Sequence, residues 1–180
     1  MFSFKRILSL AVLFFSLSSA HADILLEPYL GYLAGHWKQN TTTAQNGIDA
    51  GVRAGWENLG LQLGVDYMTG SWTDKSTPNS YSVTPSDFGF FIGYQLPVLI
   101  RFYGEYDFIS TPKYSRAGSS MTLDGHAAKI GVGFTPLPFL RINFEYYTAS
   151  YNRNKSTNSA LAPNVDVAMY GLSVSAPLTF

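Results

Sequence analysis

The chain has 180 residues, no cysteine, and twelve basic against twelve acidic side chains. Without cysteine there is no disulfide framework and no thiolate metal site, and balanced charge leaves no basic footprint for nucleic acid. Aromatic residues make up 16% of the chain and charged residues 13%, a proportion suited to a protein whose outer belt faces lipid.

Residues 1–22 read as a cleavable export signal. Lys5 and Arg6 form the positive start, and Ile7 to Leu17 is an apolar stretch too short to span a membrane as a helix. Ala20-His21-Ala22 fits the small-x-small cleavage pattern, which leaves residues 23–180 as a single domain. No later segment is long and apolar enough for a spanning helix.

Eight alternating segments follow: Leu25–Trp37, Gly47–Glu57, Leu61–Ser71, Asp87–Leu96, Leu99–Ile109, Gly125–Thr135, Phe139–Ala149 and Val167–Phe180. Short connectors (Asn58-Leu59-Gly60, Pro97-Val98, Pro136-Leu137-Pro138) alternate with long ones, spanning Lys38–Asn46, Trp72–Ser86, Ser110–Asp124 and Ser150–Asp166. The long ones are rich in Ser, Thr, Asn, Gly and Pro. Short turns at one end and long polar loops at the other are the pattern of an outer-membrane barrel.

Side chains on a strand alternate faces, and here the charges follow that alternation. One parity, including Leu30, Ile48, Val65, Phe90, Phe102, Ile130, Phe144 and Leu172, carries no charge. The other carries Glu27, Asp49, Arg53, Glu57, Asp66, Asp87, Arg101, Glu105, Asp107, Lys129, Arg141 and Glu145. A charge on the lipid face costs ~2–4 kcal/mol near the midplane, so the uncharged parity reads as the outside. The predicted fold is an all-β, eight-stranded antiparallel transmembrane barrel.

Eight strands enclose an interior just wide enough for side chains to fill. Arg53, Asp66, Arg101, Glu105, Lys129, Arg141 and Glu145 are the expected charge network inside it. Arg53 faces Asp66 across the Asn58 turn, and Lys129 faces Glu145 across the Pro136 turn, if those turns set the register. Anions exceed cations, so Tyr29, Tyr103 and Tyr147 are the expected hydroxyl donors to the remainder. Such an interior disfavours a channel for hydrophobic ligands. Tyr32, Trp56, Tyr67, Tyr94 and Tyr146 fall on the lipid parity near strand ends, as interfacial aromatics do. Trp37 and Trp72 fall on the other parity or in loops, where they cap the mouth or make surface contacts.

The C-terminal pattern Tyr170-x-Leu172-x-Val174-x-x-x-Leu178-x-Phe180 resembles the assembly signal of bacterial outer-membrane barrels. With the eight segments it makes the mature chain resemble a small OmpA/OmpX-type β-barrel. The resemblance implies Gram-negative outer-membrane localisation and folding through the barrel assembly machinery. Two departures stand out: Pro177 interrupts the signal, and Ala176 occupies a position usually held by a larger residue. The peptidoglycan-binding domain of OmpA-like proteins is not expected, since the pattern ends at Phe180.

Some eight-stranded barrels modify lipid A, and the deacylases among them resemble one another in a His-x-Ser motif. Here His126 is followed by Ala127 and Ala128, and His36 by Trp37 and Lys38. No nucleophile–base pair is evident, and no ligand spacing for a metal, so neither enzymatic activity nor a cofactor or metal is expected. Lys38, Lys75, Lys113, Arg116, Arg153 and Lys155 in the long connectors can meet lipopolysaccharide phosphates. The reading is an integral outer-membrane protein with a structural or surface-interaction role and a filled, charged interior. The alternative is a small cation-preferring, porin-like pore; a lipid A-modifying enzyme ranks behind both. The extracellular ligand is not named by the sequence.

Overall fold

The computed structural model describes residues 23–75 and 80–180. The export-signal reading of residues 1–22 lies outside them. The described residues form β1 (Asp23–Lys38), β2 (Thr42–Asn58), β3 (Leu61–Asp74), β4 (Tyr81–Thr84), β5 (Ser86–Gln95), β6 (Ile100–Ser110), β7 (Lys113–Arg116), β8 (Ser119–Leu137), β9 (Leu140–Asn154), β10 (Ser159–Ser175) and β11 (Leu178–Thr179).

All pairings are antiparallel, and the ring β1–β2–β3–β5–β6–β8–β9–β10 closes where β10 pairs with β1. The three short strands complete long ones. Trp72 lies opposite Val83 of β4 and Thr69 opposite Ser86 of β5, so one register of β3 runs straight through Pro85. Lys113 of β7 and Ser110 of β6 likewise share one register against Thr122 and Gly125 of β8, across Pro112. On β1, Leu26 meets Leu178 as Tyr29 meets Ser175, across Pro177. Proline has no N–H to give a ladder, so each interruption falls at a proline within a continuous strand. Eight long strands result, as the sequence pattern predicts.

The extracellular connectors are a correction. The four segments expected as long loops are mostly strand, because β1, β2, β3, β8, β9 and β10 run far past the expected boundaries and β4 pairs with β7. The connections left are residues 39–41, 75–80, 117–118 and 155–158. Polarity in these segments marks strands that stand in water on their outer face; it does not mark a lack of strand. The β7–β8 turn at Ala117-Gly118 and the β2–β3 turn at Leu59-Gly60 both have positive φ at two successive residues, the backbone of a two-residue hairpin whose twist suits the strands it joins.

Along the membrane-facing stretch, Leu30, Phe90, Ile92, Phe102, Ile130, Phe144 and Leu172 point outward and are exposed. Farther toward the loop end, outward positions turn polar: Ser71, Thr73, Ser82, Thr84, Lys113, Asn152 and Asp166 are exposed. The inward positions change in the opposite sense. Leu33, Met68, Trp72, Val83, Tyr114, Leu123, Tyr147, Tyr151, Val167 and Met169 form one buried apolar cluster. The barrel is inside-polar in its membrane belt and inside-apolar beyond it. The expectation of a wholly charged lumen is corrected accordingly.

Candidate functional site

The strands carry their charged side chains to a common interior, where eleven of the twelve predicted inward charges are buried; Glu57 is half-buried, near the short-turn end. Arg53 on β2 is the hub. Its Nε lies 2.5 Å from Glu105 and 3.7 Å from Asp66, its Nη1 2.9 Å from Glu27, and its Nη2 3.3 Å from Glu145. Its guanidinium is sandwiched between the rings of Tyr29 and Tyr103, 4.3 and 4.6 Å from their centroids. Stacking of this kind suits the flat, weakly hydrated guanidinium. Glu27 in turn receives Arg101, at 2.7 Å, and Arg141. Lys129 Nζ reaches Glu105 at 2.9 Å and donates to Tyr29 Oη at 3.3 Å.

Arg53 does lie opposite Asp66 in the β2–β3 ladder, though its closer partners come from across the barrel. Lys129 does not face Glu145. Its neighbours in register are Glu105 on β6 and Tyr147 on β9, while Glu145 lies opposite Gly131. The turn sits farther along than Pro136-Leu137-Pro138 suggests: Leu137 already pairs with Leu140, and a bulge between Phe134 and Leu137 takes up the extra residue. A shift of two keeps each side chain on its face but changes its partner. Glu27 is the member whose central place was not legible. Parity put it inside, but only closure of the ring brings β1 against Arg101 and Arg141.

The three tyrosines donate as expected by type: Tyr29 to Asp66 at 3.1 Å, Tyr147 to Asp87 at 2.8 Å, and Tyr103 to Glu145. Glycine makes room for two of them. A Cβ on Gly51 would lie 2.4 Å from the Tyr29 ring, and one on Gly131 2.3 Å from that of Tyr103. Gln62, Asn143, Ser173 and Ser175 complete the hydrogen bonding around Arg101 and Glu145.

Beyond this network the apolar cluster fills the bore. Trp72 packs edge-on against Tyr147 at 5.6 Å, and Trp37 lies 6.4 Å from Tyr114 nearer the mouth. Burial pushes the Tyr114 hydroxyl well above its ordinary pKa, so it stays a neutral donor. At the short-turn end a pocket of about 260 Å³ is lined by residues including Glu57, Gln95, Thr135 and Arg141; there Arg141 donates to Gln95 at 3.1 Å.

On the outside, Tyr32, Trp56, Tyr67 and Tyr94 are exposed and Tyr146 is half-exposed, stacked 4.8 Å from Tyr170. Tyr170, Leu172 and Val174 of β10, Leu178 of β11, and Phe180 all point outward. At the rim, Arg153 pairs with Asp124, and Arg116 lies 5.4 Å over the Tyr81 ring. Lys38, Lys75, Lys113 and Lys155 are exposed. His36 and His126 face outward on different strands, His126 beside Tyr106. Among the described residues no three His, Cys, Asp or Glu side chains converge at metal-ligand spacing.

This architecture matches solved structures. Neisserial surface protein A superposes with a TM-score of 0.57 at 13% identity, over 85% of this chain and 96% of that one. The Yersinia pestis attachment invasion locus protein Ail superposes with a TM-score of 0.58 at 16% identity, over 86% and 98%; a second Ail structure, in complex with the heparin analogue sucrose octasulfate, gives 0.57 at 13% over 87% and 99%. At such identities the likeness is one of fold. No protein-family model matches the chain, and no curated protein matches it in sequence. The fold is that of the small eight-stranded outer-membrane barrels, and its exposed apolar belt requires the lipid such a membrane supplies.

Proposed function

We propose that this protein is a closed outer-membrane barrel whose working surface is its rigid extracellular extension. The observation that carries this reading is the double filling of the bore. An ion network packs the membrane belt, and the buried cluster around Trp72, Tyr114 and Tyr147 packs the stretch beyond it. Continuous wide water is what a pore needs, and side chains occupy the cross-section at both levels. In planar bilayers the purified barrel is expected to give no steady conductance; a sustained cation-selective current altered in Arg53→Met would overturn the reading. Excess interior carboxylates favour cations in any residual path, which is the ground for the pore alternative.

The extension presents Lys38, Lys113, Arg116 and Lys155 toward water, and Asp124 is already engaged by Arg153. We assign this rim to lipopolysaccharide phosphates, which meet ammonium and guanidinium groups in charge-assisted hydrogen bonds. Changing the four cations together to Gln is expected to weaken binding to lipopolysaccharide micelles at least about tenfold, since each cation near an anionic lipid surface contributes ~1 kcal/mol. Unchanged affinity would remove the rim from the account. Ail, the structural neighbour crystallised with a heparin analogue, makes sulfated sugars the next anions to try. In the same reading, residues 1–22 are the cleaved signal, and Tyr170, Leu172, Val174, Leu178 and Phe180 are presented to the assembly machinery. No catalytic role is assigned, and lipid A spectra from expressing cells are expected to show no changed acyl pattern.

A further inference from the structure

The interior charges do not balance, and the imbalance has a place. Four buried cations, Arg53, Arg101, Lys129 and Arg141, meet seven buried acids, Glu27, Asp49, Asp66, Asp87, Glu105, Asp107 and Glu145. The cations engage Glu27, Glu105 and Glu145 closely, with Asp66 at the edge of Arg53. The acids left over lie toward the apolar cluster: Asp49 is four residues outward from Arg53 on β2, Asp107 is two beyond Glu105 on β6, and Asp87 is at the outer end of β5. Asp87 is held by Ser110 at 2.6 Å and Tyr147 at 2.8 Å. One Asp107 oxygen lacks a hydrogen-bond partner.

Asp49 is the extreme case. It is 0% exposed, and neither of its carboxylate oxygens has a hydrogen-bond partner. The carboxylate is turned against the bare Cα of Gly31, where a Cβ would lie 2.7 and 3.0 Å from its two oxygens and 3.0 Å from Ser173 Cβ. Ser173 Oγ donates to Glu145 at 2.9 Å, and the other Glu145 oxygen has no hydrogen-bond partner. Two open carboxylates and a hydroxyl with free lone pairs therefore border one space lined by glycine. Lys129, the cation acting most strongly on Asp49, is already held by Glu105 and Tyr29. An isolated buried carboxylate is too costly to leave uncompensated.

We propose that a monovalent cation of sodium or potassium size is bound at Asp49, with the free Glu145 oxygen and Ser173 Oγ completing an all-oxygen site. Hard cations take oxygen ligands. A divalent ion would need more carboxylates than converge here, whereas a monovalent ion accepts one or two with hydroxyls and water. The apolar cluster closes the space from outside, so the ion enters as the barrel folds.

The test is refolding from urea into detergent in sodium, potassium or choline chloride at equal ionic strength, followed by the temperature at which the heat-modifiable folded band is lost. Choline is too large for the site. A ligand that binds only the folded state raises its midpoint, so sodium or potassium should hold the midpoint several degrees above choline. Asp49→Asn should erase that difference, Ser173→Ala should shrink it, and Asp166→Asn at the exposed rim should leave it intact. Equal midpoints in all three salts for the unaltered protein, or a difference that survives Asp49→Asn, would overturn the site. The wild-type comparison decides the matter even if a variant fails to fold. A conducting barrel would sink the closed-bore reading without touching this midpoint shift, so the two failures are separable.

Discussion

Arg53→Met should destabilise the barrel more than any other single charge removal, by ~3–5 kcal/mol, the range for leaving buried partners uncompensated. The measurement is the urea midpoint of the folded band in detergent. Arg53 is wholly buried and touches four carboxylates from four other strands: Glu27 of β1, Asp66 of β3, Glu105 of β6 and Glu145 of β9. Removing it leaves those carboxylates facing one another in a medium of low dielectric, while Lys129 can answer Glu105 alone. Arg53→Lys should recover only part of the loss, because one ammonium point charge replaces a fork that meets Glu27, Glu105 and Glu145 through separate nitrogens and stacks between two rings. Adding Glu105→Gln to Arg53→Met should restore some stability by deleting one orphaned charge. If Arg53→Met is as stable as the parent, the network is decoration and register is set by the ladders alone.

What could be read from the sequence followed from two local rules, and what could not depended on distance around the ring. Alternation alone placed Arg53, Arg101, Lys129 and Glu145 on the inner face, because facing is a property of one strand at a time. The Arg53–Asp66 register followed from a tight turn at Leu59-Gly60, which leaves little freedom for slip. Lys129 and Glu145 went astray because Pro136 and Pro138 both looked like the turn, and a bulge decided between them. Glu27 as the acceptor of three guanidiniums needed closure of β1 onto β10, which no neighbouring residues announce. The polar stretches misread as loops show the same limit from another side. Ser, Thr and Asn clusters look like connectors, yet Val83, Tyr114, Leu123 and Val165 stand among them at inward positions. Alternation continues through these stretches with its polarity reversed, a signal present in the sequence and hidden by the assumption that one polarity holds along a whole strand.

That reversal gives opposite meanings to the same substitution at two heights, and Trp72→Ala is the sharper case. Trp72 is 1% exposed within the apolar cluster, against Tyr147, so its loss opens a cavity in a packed core, at a cost of ~3–5 kcal/mol for an aromatic-to-alanine change. Phe144 is as large an apolar residue for lipid to meet, but it stands 54% exposed on the outer face of β9. There lipid chains fill the space left by Phe144→Ala, and no fixed cavity forms. In urea titrations of the refolded barrel, Trp72→Ala should therefore lose several times the stability lost by Phe144→Ala. Polar replacements sharpen the contrast: Thr73→Asp, one residue along and exposed to water, should be nearly neutral, whereas Phe144→Asp should be strongly disfavoured in the belt. Equal losses for the two alanine variants would mean that the outer bore is not a packed core, and the case for a barrel sealed from outside would go with it.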